Sequence, residues 1–143
     1  MMQKHKVEYE LVFPLVSMAT KAVKKLTSED VLLLGFDSLE LYAVKDDMVC
    51  AKLRLLSLEN QHFLEVYSIE KERFSQENTP KYKNIKLSLS KIEKMSMQLG
   101  HRIDMSELNL KEVTLIEGTK ALAKCSLVKV DEELALSIDR MMK

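Results

Sequence analysis

The sequence predicts a mainly β fold with short helices, an α+β chain laid out as two similar units. Three observations carry this expectation. Apolar and polar residues alternate over most of the chain, as where Val49, Ala51, Leu53 and Leu55 fall on one face and Lys52 and Arg54 on the other. Turn-forming residues separate these runs, at Lys45-Asp46-Asp47, Glu117-Gly118-Thr119 and Asp131-Glu132-Glu133. The same order of elements also occurs twice, on either side of a polar stretch.

Residues 6–16 read as the first strand, with Val7, Tyr9 and Leu11 alternating against Glu8 and Glu10. Pro14 cannot donate to a sheet ladder, so this strand ends there or lies at an edge. Over 17–26, Ala19, Ala22, Val23 and Leu26 recur at helical spacing beside Lys21, Lys24 and Lys25, which predicts two or three helical turns. A turn over 27–30 leads to a short buried strand at 31–34 and another at 39–44. The long strand 48–58 follows, and its Leu55-Leu56 doublet is compatible with a bulge or with burial on both faces. After a turn at 59–62, a strand over 63–69 closes the first unit, residues 6–69.

Residues 70–84 are polar and charged, with Phe74 and Tyr82 as the large apolar groups, and read as a linker. The second unit, 85–140, opens on Ile85, Leu87 and Leu89 in strand alternation. Ser90 and Glu93 have capping-box spacing, which predicts a short helix to Met97 ended by Leu99-Gly100. Short strands at 103–105 and 113–116, a long one at 121–130 and a last one at 134–138 complete the unit.

Composition narrows the function classes. The chain has 143 residues, with 22 Lys+Arg balanced by 22 Asp+Glu. Nucleic-acid binders usually carry a basic excess that displaces counterions, so that class is disfavoured. No apolar run approaches the ~20 residues of a spanning helix, and the start lacks the apolar core of a signal peptide. A cytoplasmic protein is expected. Cys50 and Cys125 sit in apolar surroundings and read as buried thiols. Metal-ligand spacing, a Gly-rich phosphate loop, a nucleophile elbow and HExxH are all missing from the sequence, so no metal, cofactor or enzymatic activity is expected.

Size favours a shared core. Halves of about 70 residues would each be marginal alone, whereas two similar units packed together bury their apolar faces and strand edges. A pseudo-two-fold internal dimer is the architecture that follows. The repeat is visible in letters too: Leu26, Glu29, Asp30, Leu32 and Leu34 match Met97, Gly100, His101, Ile103 and Met105, and Ala51-Lys52 with Leu55 matches Ala123-Lys124 with Leu127. Ser68-Ile69 likewise echoes Ser137-Ile138.

These residues resemble the SpoA (surface presentation of antigens) domain, whose pattern is Leu-x-x-Gly-Asp-Val-Leu-x-Leu followed by a hairpin arm Ala-x-Gly-x-Leu. The first unit is similar at Leu26-Thr-Ser-Glu-Asp30-Val31-Leu32-Leu33-Leu34 and Ala51-Lys-Leu-Arg-Leu55. The second is similar at Met97-Gln-Leu-Gly100-His101-Arg-Ile103-Asp-Met105 and Ala123-Lys-Cys-Ser-Leu127. Glu29 replaces the family's Gly in the first unit and His101 its Asp in the second, and neither hairpin arm has the family's Gly. The resemblance implies tandem units that intertwine their strands.

It also implies a structural role through protein–protein docking in a flagellar motor switch complex (the C-ring) or a type III secretion cytoplasmic platform. The protein would then sit in the cytoplasm, at the cytoplasmic face of a membrane-embedded assembly, with other proteins of that assembly as partners and homo-oligomers left open. Phe36, Tyr42, Phe63 and Tyr67 are candidate partner contacts, with burial in the core as the competing explanation for each. Leu53, Leu55, Leu127 and Val128 are the expected shared core. Two alternatives stand beside this one. A PilZ-like cyclic-dinucleotide-binding β-barrel is suggested faintly by Phe36-Asp37-Ser38-Leu39, and calorimetry with cyclic-di-GMP separates it from a scaffold. A secretion chaperone would need longer helices than the sequence predicts.

Overall fold

The computed structural model describes residues 7–34, 39–74, 79–94, 97–108 and 112–142. Over these the protein is mainly β: its strands form one 11-stranded antiparallel sheet. The first half contributes β1 (Val7–Val12), β2 (Val16–Ala19), helix α1 (Thr20–Lys24), β3 (Val31–Leu33), β4 (Glu40–Lys45), β5 (Met48–Leu58) and β6 (Gln61–Arg73). The second contributes β7 (Tyr82–Lys94), β8 (Arg102–Asp104), a 3-10 turn (Met105–Glu107), β9 (Val113–Glu117), β10 (Lys120–Val130) and β11 (Glu133–Met141). Along the sheet the order is β3-β11-β10-β9-β7-β1-β4-β5-β6-β8, with β2 paired to β7 beside this path.

The hairpins follow from their turn residues. Two-residue hairpins closed by a type I′ turn need positive φ at both central positions. Asp46 and Asp47 take φ of 51° and 61°, Glu59 and Asn60 47° and 68°, and Asp131 and Glu132 48° and 69°. Asp and Asn tolerate this region through local hydrogen bonding, and in each of these turns at least one of the pair is such a residue.

Inside the sheet, one continuous core draws on both halves, including Leu11, Phe13, Leu41, Leu53 and Leu64 from the first and Ile85, Leu87, Leu115, Leu136 and Ile138 from the second. A smaller cluster of Val12, Val44, Val49 and Phe74 covers the opposite face near the centre. At about 25 cal/mol per Å² of apolar area removed from water, this two-sided burial is the main force holding the sheet together.

Several expectations need correction. The run 17–26 is not helical throughout. Val16–Ala19 pairs with β7 in the register Val16↔Ile85 to Ala19↔Tyr82, and only five residues of helix follow, with no side-chain cap at Ala19. Ser90 and Glu93 do not cap a helix. They lie within β7, where Ser90 pairs with Leu11 and Glu93 with Glu8. A capping box contributes about 1 kcal/mol, and a full ladder with β1 outweighs it.

The connection between the halves is shorter than the polar run 70–84. β6 continues through Glu72 and Arg73, which pair with Val49 and Met48, and β7 begins at Tyr82. The strand at 31–33 is at an edge of the sheet rather than buried, with Val31 and Leu33 48% and 60% exposed. The bulges of the β5–β6 ladder fall between Val49 and Ala51 and between Lys52 and Leu53, not at Leu55-Leu56.

Among the expected core residues, Leu53 is fully buried, but Leu55 is 40% exposed. The cause is ladder length: the β4–β5 pairing ends at Glu40↔Arg54, and on that side Leu55 keeps a single backbone bond, from its N–H to the Leu39 carbonyl at 3.1 Å. Leu127 and Val128 are half-buried for the same reason, lying past the last β9–β10 pair at Cys125↔Val113. Leu127 still packs against the core. The echo of Ser68-Ile69 in Ser137-Ile138 is out of register. Ile138 faces Cys125 across its hairpin and Val66 faces Leu53, so Val66 holds the place of Ile138.

Glu29 has φ of 81°, in the left-handed region that costs a side-chain-bearing residue about 1–2 kcal/mol. Its N–H donates to the Ile138 carbonyl at 2.9 Å, which holds the turn in place. Glu29→Gly is therefore expected to stabilise the protein by about 1 kcal/mol, less what glycine gives back in unfolded-state entropy. The check is urea denaturation, with a raised midpoint at unchanged slope.

Candidate interaction surface

The outward face of β4, β5 and β6 carries two of the aromatic residues singled out from sequence. Alternation turns Leu41, Ala43, Ala51, Leu53, Leu64 and Val66 inward, which leaves Glu40, Tyr42, Lys52, Arg54, Glu65 and Tyr67 on the outside. Each tyrosine is half-buried, and each has a cation over its ring.

Tyr42 meets Phe74 edge-on, with ring centroids 6.5 Å apart at 90°. Lys52 Nζ lies 5.2 Å from the Tyr42 ring centre and 3.9 Å from Glu72. The Tyr67 hydroxyl donates to Glu40 Oε1 at 2.5 Å, while the Arg54 guanidinium stands 5.4 Å from its ring. Arg54 and Arg102 both approach Glu65, at 3.8 and 3.3 Å. Burial and then the Glu40 carboxylate push the Tyr67 hydroxyl up to about 12, so it stays a hydrogen-bond donor at neutral pH. Burial likewise raises Tyr42. Such aromatic–cation pairs suit a contact surface that is apolar in area and polar at its tips.

Phe63 is not part of this group. It is half-buried, pairs with Leu56 and Asp104, and lines a separate depression with Leu58, Glu59, Gln61 and Arg102. Phe36 lies outside the described residues, as do Asp37 and Ser38 of the PilZ-like stretch. The cations Lys52 and Arg54 were legible in sequence only as an outward face. Their placement over tyrosines from neighbouring strands depends on register.

Elsewhere the surface mixes polar pairs with exposed apolar side chains such as Leu33 and Leu99. On β10, Lys124 Nζ donates to Thr114 Oγ1 at 2.7 Å, and Ser126 Oγ to Asp139 at 2.5 Å. A cavity of about 630 Å³ lies over the centre of the sheet, where Glu10 accepts from Lys86 at 2.9 Å and from Ser88 at 2.7 Å and Glu8 approaches Lys91 at 3.8 Å. Its charges are mixed, and the Glu8 and Glu10 carboxylates are already engaged.

Among the described residues, no group of three or more His, Cys, Asp or Glu is placed to hold a metal ion. No helix there is long and apolar enough to cross a membrane. Cys125 is buried, and that burial raises its thiol to about 11, which keeps it protonated. Cys50 is half-buried and donates weakly to the Met48 carbonyl at 3.6 Å. No protein-family model matches the chain, and no curated protein matches it.

Proposed function

We propose that the chain is a pair of SpoA-like units, intertwined as a pseudo-dimer, that acts by docking other proteins in a flagellar motor switch complex or a type III secretion cytoplasmic platform. The observation that carries this reading is the strand order. If β1 is matched with β7, β3 with β8, β4 with β9, β5 with β10 and β6 with β11, the order along the sheet maps onto its own reverse. Under that matching, β3 leaves its half to pair with β11, and β8 leaves its half to pair with β6.

The details support the same matching. Val12 pairs with Ser88, its own counterpart, and Tyr9↔Ile92 has its mirror in Val16↔Ile85. Glu29 and Gly100, at the family's Gly position, have φ of 81° and 85°. Their N–H groups donate at 2.9 Å to the carbonyls of Ile138 and Val66, whose own N–H groups donate at 2.8 Å to Asp30 and His101. A short turn that hands a strand across to the other half is thus built twice by the same bonds. Pro14, which has no N–H, separates β1 from β2.

A docking role agrees with the surface chemistry: ordered aromatic–cation pairs on one half, exposed apolar side chains on β3, and a core shared by both halves. Affinity purification of the tagged chain from its native cells, with partners identified by mass spectrometry, tests it. Stoichiometric recovery of switch or secretion-platform components is expected. Recovery of the chain with no such component overturns the assignment to these assemblies.

A further inference from the structure

The two ends of the sheet differ in how their open edges are guarded. β8 forms one end and β3 the other. Unpaired N–H and C=O groups at an edge invite another strand, and charged side chains on the edge discourage it. On β8 the outward residues are charged: Arg102 pairs with Glu65 at 3.3 Å, and Asp104 accepts from the Ser106 N–H at 2.9 Å. On β3 the outward residues are Val31 and Leu33, exposed by 48% and 60%.

Their backbone groups face the open side as well. Leu34 N–H donates to the Leu134 carbonyl at 3.1 Å, and Ile138 N–H to that of Asp30 at 2.8 Å. In an antiparallel ladder the bonded pairs alternate with pairs whose N–H and C=O point away, and Val31↔Ser137 and Leu33↔Ala135 are such pairs. Apolar side chains and unused ladder groups therefore occur on the same two residues, while Leu32 between them packs on the core.

Charge selects the occupant. Glu29 and Asp30 precede the strand, and Asp131, Glu132 and Glu133 form the exposed turn beside its other end, with Lys129 next to them. A second copy pairing antiparallel here would set acidic residues against acidic residues at both ends. A segment with basic flanks meets opposite charge at both.

We propose that the β3 edge takes up an extended segment of a partner protein by strand addition, the segment carrying apolar residues at alternate positions with Lys or Arg on either side. This rests on the reading of the chain as a docking module and names the contact that module makes.

The test uses the whole chain and a fluorescein-labelled peptide, Lys-Lys-Thr-Val-Thr-Val-Thr-Lys-Lys, followed by fluorescence anisotropy. Saturable binding is expected, weakened about tenfold or more when the flanking lysines are replaced by glutamates. Leu33→Lys should cost a similar factor with an unchanged circular-dichroism spectrum, because the side chain is exposed, while Arg102→Ala at the other edge leaves binding as it was. Absence of saturable binding, equal affinity for both peptides, or full binding by Leu33→Lys overturns the proposal. So does a homodimer that Leu33→Lys dissolves, which would assign the edge to a second copy. If the peptide fails while the native purification still recovers its partners, only the edge assignment falls.

Discussion

Leu53→Asp is expected to leave no cooperatively folded protein. Leu53 is fully buried in the core shared by the two halves, opposite Leu41 on β4 and Val66 on β6. A carboxylate there has no partner in its apolar surroundings, and the cost of burying it, about 5 kcal/mol or more, is comparable with the whole stability of a domain this size. Leu55→Asp is the control, since Leu55 lies two residues along the same strand but 40% exposed. It should cost no more than about 1 kcal/mol. Thermal melts followed by circular dichroism distinguish the two. A cooperative melt for Leu53→Asp would remove Leu53 from the core.

The second large effect is expected at Ile103, the central residue of β8. It is buried against the first half, where it pairs with Leu64 of β6. Ile103→Ala should cost about 2–4 kcal/mol through lost burial and the cavity left behind. Because both residues occupy one contact, a double-mutant cycle with Leu64→Ala should show a coupling of about 0.5–3 kcal/mol. Additive losses in urea denaturation would mean that β8 is not held by β6.

Local chemistry made part of this fold legible in sequence. The bounds of β5 follow from Asp46-Asp47 before it and Glu59-Asn60 after it, because those residues accept the positive φ that a type I′ hairpin turn requires. The end of β7 was not legible. Ser90 and Glu93 have helix-capping spacing, and only β1, distant in sequence, keeps them extended. The last residues of β6, Lys71-Glu72-Arg73, look like linker by composition and become strand through pairing of Glu72 and Arg73 with Val49 and Met48.

The surface divides in the same way. Tyr42 and Tyr67 could be chosen as large half-apolar groups on strands, but the cations over their rings are set by cross-strand register, which a single strand's pattern does not contain. The turn at Glu29 shows the converse. Its side chain is not one that favours a left-handed backbone, yet φ there is 81°, close to the 85° of Gly100.

The central claim is that the two halves complete one another's sheets, and severing the chain within the connection 75–78 tests it most directly. Each half expressed alone should fail to fold as a monomer, because β3 lacks β11 and β8 lacks β6. Mixed, the halves should form a one-to-one complex with the circular-dichroism spectrum and cooperative melt of the intact chain. A half that melts cooperatively as a monomer on its own would contradict the account.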